Sequence, residues 1–250
     1  QLAGVSVRLD HVRNPAGGGL TFAVPNGTDS PDPVKNLTGV IVDQHPTSVL
    51  WLDASMSPGA KPHAYSQDGV TQVITEAAYA LCQEKGWPTP NVTLAACPYN
   101  TWPSDGGFDP TRIKPEANPK GKANTNQRRL YVLTDASPLP LVVTVTPTGL
   151  GNFDDYLLKR IVLQGRSLHH VVTRIGLEKQ VNYSRATFEF VRDLNADEGD
   201  SIEGFIPVIR TLTRGEAVSA PIPVVPAPDL TIDDFQPVTT ASVPDDFPIV

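Results

Sequence analysis

Thr38-Gly39-Val40-Ile41-Val42-Asp43 and Thr47-Ser48-Val49-Leu50-Trp51-Leu52 are two apolar, β-branched runs separated by Gln44-His45-Pro46. Short runs of this kind, bounded by turn formers, read as strands. The pair is expected to form adjacent strands with a turn before Pro46. Outward from this stretch, more strands are expected. Val5–Asp10 alternates, and the Gly-rich Asn14–Gly19 turns the chain into Leu20–Val24. Pro25–Lys35 and Ser57–Asp68 read as loops. Arg129–Leu133 and Leu139–Thr146 flank a Ser-Pro turn, and Leu168–Glu178 pairs with Ser184–Arg192 around Lys179–Tyr183. In the last of these, Ala186, Phe188 and Phe190 share one face, while Arg185, Thr187, Glu189 and Val191 share the other.

Two segments have helical spacing. Thr71–Lys85 carries Val73, Ile74, Ala77, Ala78, Leu81 and Cys82 on one stripe and stops at Gly86. Asn152–Gln164 has Asn152 as its N-cap, Asp154 and Asp155 in its first turn, Lys159 and Arg160 toward its end, and Gly165 as a stop. Ser201–Leu212 is ambiguous, because Pro207 should break a continuous helix. Pro88–Asn126 reads as a long irregular loop of a functional or mobile kind. The expected fold class is β-rich (α+β), an OB-like barrel or sheet elaborated with two helices and long loops. Residues 1–215 form one domain, and 216–250 form a disordered acidic tail.

Composition narrows the function classes. The chain has 250 residues, 40% apolar and 19% charged, enough for a core without covalent staples. Its 25 prolines, one residue in ten, exclude a helical bundle. Cys82 and Cys97 are too few for a disulfide framework or a Cys-only zinc site and fit a reducing compartment. No apolar run reaches the ~20 residues of a membrane helix, and no secretory leader is seen. Sequons at Asn26, Asn36, Asn91 and Asn182 read as accidental in so Ser- and Thr-rich a chain.

The net charge of −7 is unevenly spread. Residues 1–111 hold five bases and ten acids, while residues 112–192 hold thirteen bases and six acids, a balance of +7. Residues 193–224 balance at −4, and residues 225–250 hold five aspartates and no base. A basic middle followed by an anionic tail suggests contact with nucleic acid and a separate role for the tail. After Arg214 there is no base, and Ala217–Val250 carries seven prolines without periodicity. Such a segment buries too little surface to offset its ordering entropy.

The tail closes on Pro244-Asp245-Asp246-Phe247-Pro248-Ile249-Val250, and Ile232-Asp233-Asp234-Phe235 repeats the pattern upstream. This ending resembles the C-terminal tip of bacterial single-stranded DNA-binding proteins, although their terminal Phe is replaced here by Ile249-Val250. The resemblance implies that Asp245, Asp246, Phe247, Pro248, Ile249 and Val250 dock replication or recombination proteins. Aspartates and a carboxylate would meet a basic rim while an apolar side chain fills a pocket. A second resemblance covers roughly residues 37–192. It rests on Gly39–Asp43, Ser66–Gly69, Cys97–Asn100, Gly121–Ala123, Arg128–Tyr131 and Thr146–Thr148, and is to uncharacterised proteins of phages and integrative elements. It implies a DNA-processing role in a bacterial host cytoplasm. A zinc knuckle that this group suggests is not carried over, since of its cysteine positions only Cys97 holds one.

Single strands are held by basic grooves and stacking aromatics. The expected nucleic-acid-binding residues are Lys120, Lys122, Arg128, Arg129, Lys159, Arg160, Arg166, Arg174, Lys179 and Arg185, with the aromatics Tyr99, Trp102, Tyr131 and Tyr183. Trp51, Phe188 and Phe190 lie in apolar alternation and read as core. No phosphate loop, dinucleotide fingerprint or nucleophile elbow occurs. His169-His170, read as neighbours on a strand, would face opposite ways and could not share an ion. Asp43 with His45 is explained by a turn, and Cys97 has no identifiable pairing histidine. The expectation is a non-enzymatic single-stranded DNA-binding protein without cofactor or metal, its oligomeric state left open. The alternatives are a protein–protein adaptor that mimics such a tail and a metal-dependent nuclease.

Overall fold

The structure, a computed structural model, describes residues 9–15, 18–53, 61–115 and 117–214. The expected tail at 216–250, its docking tip and most of the expected strand Val5–Asp10 lie outside the described residues. The strands are β1 (His11–Val12), β2 (Phe22–Val24), β3 (Asp32–Val34), β4 (Leu37–Leu50), β5 (Ala64–Ser66), β6 (Gln72–Ile74), β7 (Thr125–Thr134), β8 (Ser137–Val145), β9 (Val171–Lys179) and β10 (Ser184–Asp193). The helices are α1 (Glu76–Lys85), α2 (Pro147–Tyr156) and α3 (Ala196–Arg214). Among the described residues the fold is mixed α/β, a curled half-barrel sheet with three α-helices.

β4 organises the sheet. It is one strand of 14 residues, not the two strands expected around Gln44-His45-Pro46. One side pairs with β7 from Val40 to Val49. The other side is divided: Leu37–Val40 pairs with β9, and Ser48–Leu50 pairs with β5. Pro46 falls in the stretch that, among the described residues, is paired only to β7, where a missing N–H is tolerated. Gly69, at φ +72°, lies directly over the Pro46 ring. The order β1-β8-β7-β4-β5-β6 is joined by the β9–β10 hairpin on β4, and β1 pairs parallel with β8. Among the described residues β2 and β3 form a separate two-stranded ladder.

Both faces of the sheet are covered. On the first, Leu37, Ile41, Leu130, Val132, Val143, Val145, Val171 and Ile175 pack against Phe153, Tyr156 and Ile161 of α2 and the turns after it. On the second, Val40, Val42, Tyr131, Leu133, Val142 and Val172 meet Ile202, Ile206 and Ile209 of α3. Isoleucines at this i, i+4, i+7 spacing form one helix stripe, and each fully buried side chain contributes roughly 1.5–3 kcal/mol. A bulge between Ile41 and Asp43 adds one residue to β4. It puts Asp43 opposite Tyr131, so Val42 and Asp43 both serve the second face.

Three helical expectations are corrected. α1 begins at Glu76, with Thr75 capping the Ala78 N–H, because Gln72–Ile74 joins the sheet as β6. The second helix begins at Pro147, whose fixed φ and missing N–H suit a first helical position. Asn152, the expected N-cap, lies inside it and donates from Nδ2 to the Ala186 carbonyl of β10. After Tyr156 the chain continues as a π-turn (Leu157–Ile161) and a 3-10 turn (Val162–Gln164) that ends at Gly165. Pro207 does not break α3; it sits exposed inside a continuous helix.

α3 is held at its start by a reciprocal cap. Asn195 Oδ1 accepts from the Glu198 N–H, and Glu198 accepts from the Asn195 N–H, both at 2.9 Å. Arg192 grips the same carboxylate with two bonds of 2.7 and 2.8 Å. The long loop is an ordered third core rather than an irregular run. Short 3-10 turns at Leu94–Ala96, Pro98–Asn100, Pro103–Asp105 and Pro110–Arg112 fold Leu94, Tyr99 and Phe108 inward. Tyr99, Cys97 and Phe108 there pack with Leu50, Leu52, Ala78 and Cys82.

Candidate nucleic-acid interface

β10 is an edge strand among the described residues, paired only with β9. α2 and its π-turn lie along it, because Ala186 packs on Gly149 and Phe188 packs on Phe153 and Tyr156. A side chain at Gly149 would sit 3.1–3.3 Å from Val145 and Ala186, so glycine there lets helix and strand close up. Between them run two adjoining cavities. One, of about 280 Å³, is lined by Asn152, Asp155, Tyr156, Lys159, Arg160, Thr187 and Phe188. The other, of about 480 Å³, shares Arg160 and Phe188 and adds Gln164, Arg166, Glu189 and Phe190. The result is a groove with an aromatic floor and a cationic wall along one strand edge.

The bases of this groove are in different states. Arg166 is a structural clamp. Its Nε and Nη2 donate to Asp193 at 2.7 and 3.2 Å, its Nη1 donates to the Arg160 carbonyl, and its guanidinium stacks 4.3 Å above Phe190. The hydrogen bond to Asp193 raises its already high pKa. Lys159 pairs with Asp155 at 2.8 Å across one helical turn, where both side chains are exposed, so that pair is weak and exchangeable. Arg160 has no ion pair among the described residues. Phe188 and Phe190, read as core, are only partly buried and form the floor.

The other expected binding residues are not all gathered here. Arg128 faces α2, 3.7 Å from Asp154 and over the Phe153 ring, whereas Arg129 faces the opposite side beside His45. Arg174 and Arg185 point to the sheet face away from α2, paired with Glu189 at 3.0 Å and Glu178 at 2.8 Å. Lys179 and the half-exposed Tyr183 sit at the β9–β10 hairpin. Lys120, Lys122 and Trp102 form a second group in the long loop, with the Lys122 ammonium 5.1 Å from the centre of the half-exposed Trp102 ring. That loop packs near β5, whereas β9 joins β4 eight residues earlier, roughly 26 Å away along the strand.

Tyr99 and Tyr131 are corrections. Both are core side chains, 0% and 4% exposed, and offer no face for stacking. Tyr99 donates to the Pro88 carbonyl at 2.7 Å and contacts Cys82 Sγ at 3.4 Å, and burial pushes its pKa up. Cys82 and Cys97 are free and buried. Asp43 and His45 are not in a turn. They lie two apart on β4, buried on one face, with His45 Nε2 3.3 Å from the Tyr131 hydroxyl.

His169 and His170 are also not on a strand. They occupy a 3-10 turn, Leu168–His170, just before β9. Successive side chains there are about 120° apart rather than opposed. The two rings lie 4.7 Å apart, and His170 Nε2 approaches Glu203 of α3 to 2.9 Å. On this turn, unlike on a strand, the two adjacent histidines converge with Glu203. Comparison with protein-family models, curated proteins and solved structures gives no match.

Proposed function

We propose that this chain is a non-enzymatic single-stranded DNA-binding protein that holds its ligand along the β10 groove. The supporting observation is the pair of joined cavities, in which Phe188 offers an aromatic floor and Lys159 and Arg160 offer phosphate contacts. Base stacking supplies ~1–3 kcal/mol per base, and a cationic wall tracks the backbone. A curled, β-rich sheet is compatible with an OB-like way of binding. The acidic tip 245–250 would then recruit replication or recombination proteins, in keeping with its resemblance to bacterial single-stranded DNA-binding tails.

The test is fluorescent oligo-dT titrated with the full chain across a salt series. The expected result is binding at low salt that weakens as salt rises, by about 0.7 log unit per phosphate contact per tenfold salt. No binding at low salt, or affinity insensitive to salt, rejects the reading. The adaptor alternative has its own support: Leu158, Val162 and Leu163 on the wall of turns beside the groove are 50%, 63% and 68% exposed. Such an apolar surface is the kind that protein partners cover. Truncation at Arg214 combined with Leu158→Ser, Val162→Ser and Leu163→Ser separates the two readings. A DNA binder keeps its affinity for oligo-dT, and an adaptor loses its partners.

A further inference from the structure

We propose that His169, His170 and Glu203 form a binding site for one borderline divalent transition ion of the Zn²⁺ type, independent of the β10 groove. One ligand atom from each residue lies within 4.8 Å of the others. Tetrahedral zinc with bonds of ~2.0–2.1 Å needs ligands roughly 3.3 Å apart, a contraction within reach of side-chain rotation. Two imidazoles and one carboxylate are a donor set that suits this class of ion and leaves a coordination position for water.

Three features of the fold make the site. The 3-10 turn aims both rings at α3. Gly199 stands one turn before Glu203 on the same helix face, and a Cβ there would come within 3.9 Å of His170 Nε2. On the His170 side the site adjoins a cavity of about 170 Å³ lined by His170, Leu194, Asn195, Ala196, Gly199 and Asp200. Finally, His170 Nε2 is buried without a hydrogen-bond partner. Its approach to Glu203 Oε1 is short but out of line for a ring N–H donor. A buried ring nitrogen normally has a partner, and a metal ion on its lone pair would be one.

An ion here would tie the entrance of β9 to α3 across the second core.

The experiment uses the full chain, stripped with chelator and desalted. Zn²⁺ is titrated by calorimetry, and Co²⁺ is followed by its visible d–d absorption. The expected result is one saturable ion per chain, a tetrahedral-type cobalt spectrum and a rise in Tm. Glu203→Gln and His170→Ala should each weaken the affinity by at least ~10-fold, while His63→Ala, remote from the site, should not. Circular dichroism of each variant without metal checks that it folds, and the exposed Glu203 provides a variant that leaves the core intact. Absence of saturable one-to-one binding in the parent chain overturns the proposal. So does equal affinity in a folded Glu203→Gln variant.

Discussion

At Gly39 a single added carbon would sit 2.1 Å from the Leu133 carbonyl oxygen of β7. The obstacle is backbone, so no change of rotamer relieves it. Gly39→Ala should cost about 3 kcal/mol, the upper part of the range for overpacking. Urea denaturation should show this as a lower midpoint with an unchanged slope. Ionisation acts at the same scale. Burial is the leading cause that lowers the pKa of His11, His63 and His169; Arg129 adds to it at His11 and His170 at His169. The folded chain therefore binds fewer protons than the unfolded chain in mild acid. Stability should be full above about pH 6.5 and should fall as pH drops below it, toward the depressed folded values. Glu198 adds a loss at lower pH, because its hydrogen bonds from Arg192 hold its pKa below the usual carboxylate value. Urea midpoints measured from about pH 8 to about pH 2 should trace both steps; a flat profile through the histidine range would contradict the first.

At the scale of elements, α3 illustrates how packing overrides a local rule. Pro207 cannot donate to the Glu203 carbonyl and is unfavourable inside a helix. The helix continues because Ile202, Ile206 and Ile209 bury one stripe against the sheet and because Asn195, Glu198 and Arg192 fix its start. Pro207 is exposed, so Pro207→Ala loses little packing and restores a hydrogen bond. It should raise stability by about 1–3 kcal/mol, read as a higher urea midpoint. β4 makes a similar point. Pro46 interrupts the pattern of the two runs, yet a single strand passes through it, since β7 supplies a partner along Val40–Val49. In the long loop, prolines at 98, 103 and 110 each open a 3-10 turn, so a sequence that reads as irregular is a packed wall.

For the whole molecule, the charge block in the middle of the sequence is divided by the fold. Arg128, Lys159, Arg166, Arg174 and Arg185 each meet a carboxylate, and the basic residues lie on more than one face. A balance of +7 along the chain is thus not one +7 surface. The β10 groove and the Lys120–Lys122–Trp102 loop are separate candidates that charge reversal can distinguish. Lys159→Glu with Arg160→Glu should weaken oligo-dT binding at least ~10-fold and lower the salt slope by about 1.4, two contacts' worth. Lys120→Glu with Lys122→Glu should leave the slope unchanged. The reverse outcome would move the interface to the loop.

The β-rich class, the β7–β8 and β9–β10 hairpins and the shared face of Ala186, Phe188 and Phe190 were legible in the sequence. All of these follow from period-two alternation and local turn chemistry, which act between residues close along the chain. The helix at 76–85 was legible from its 3.6-residue spacing, another short-range signal, although that spacing placed its start at Thr71, just ahead of what is β6. The continuity of β4, the register change at Ile41–Asp43, the burial of Tyr99 and Tyr131 and the persistence of α3 through Pro207 were not. Each depends on a partner far away in sequence. The groove and the His169–His170–Glu203 cluster belong to this second group as well. Composition and periodicity determine which segments can bury a face, but only tertiary packing decides which faces meet, because that choice is made by shape and hydrogen-bond pairing between segments that sequence spacing does not relate.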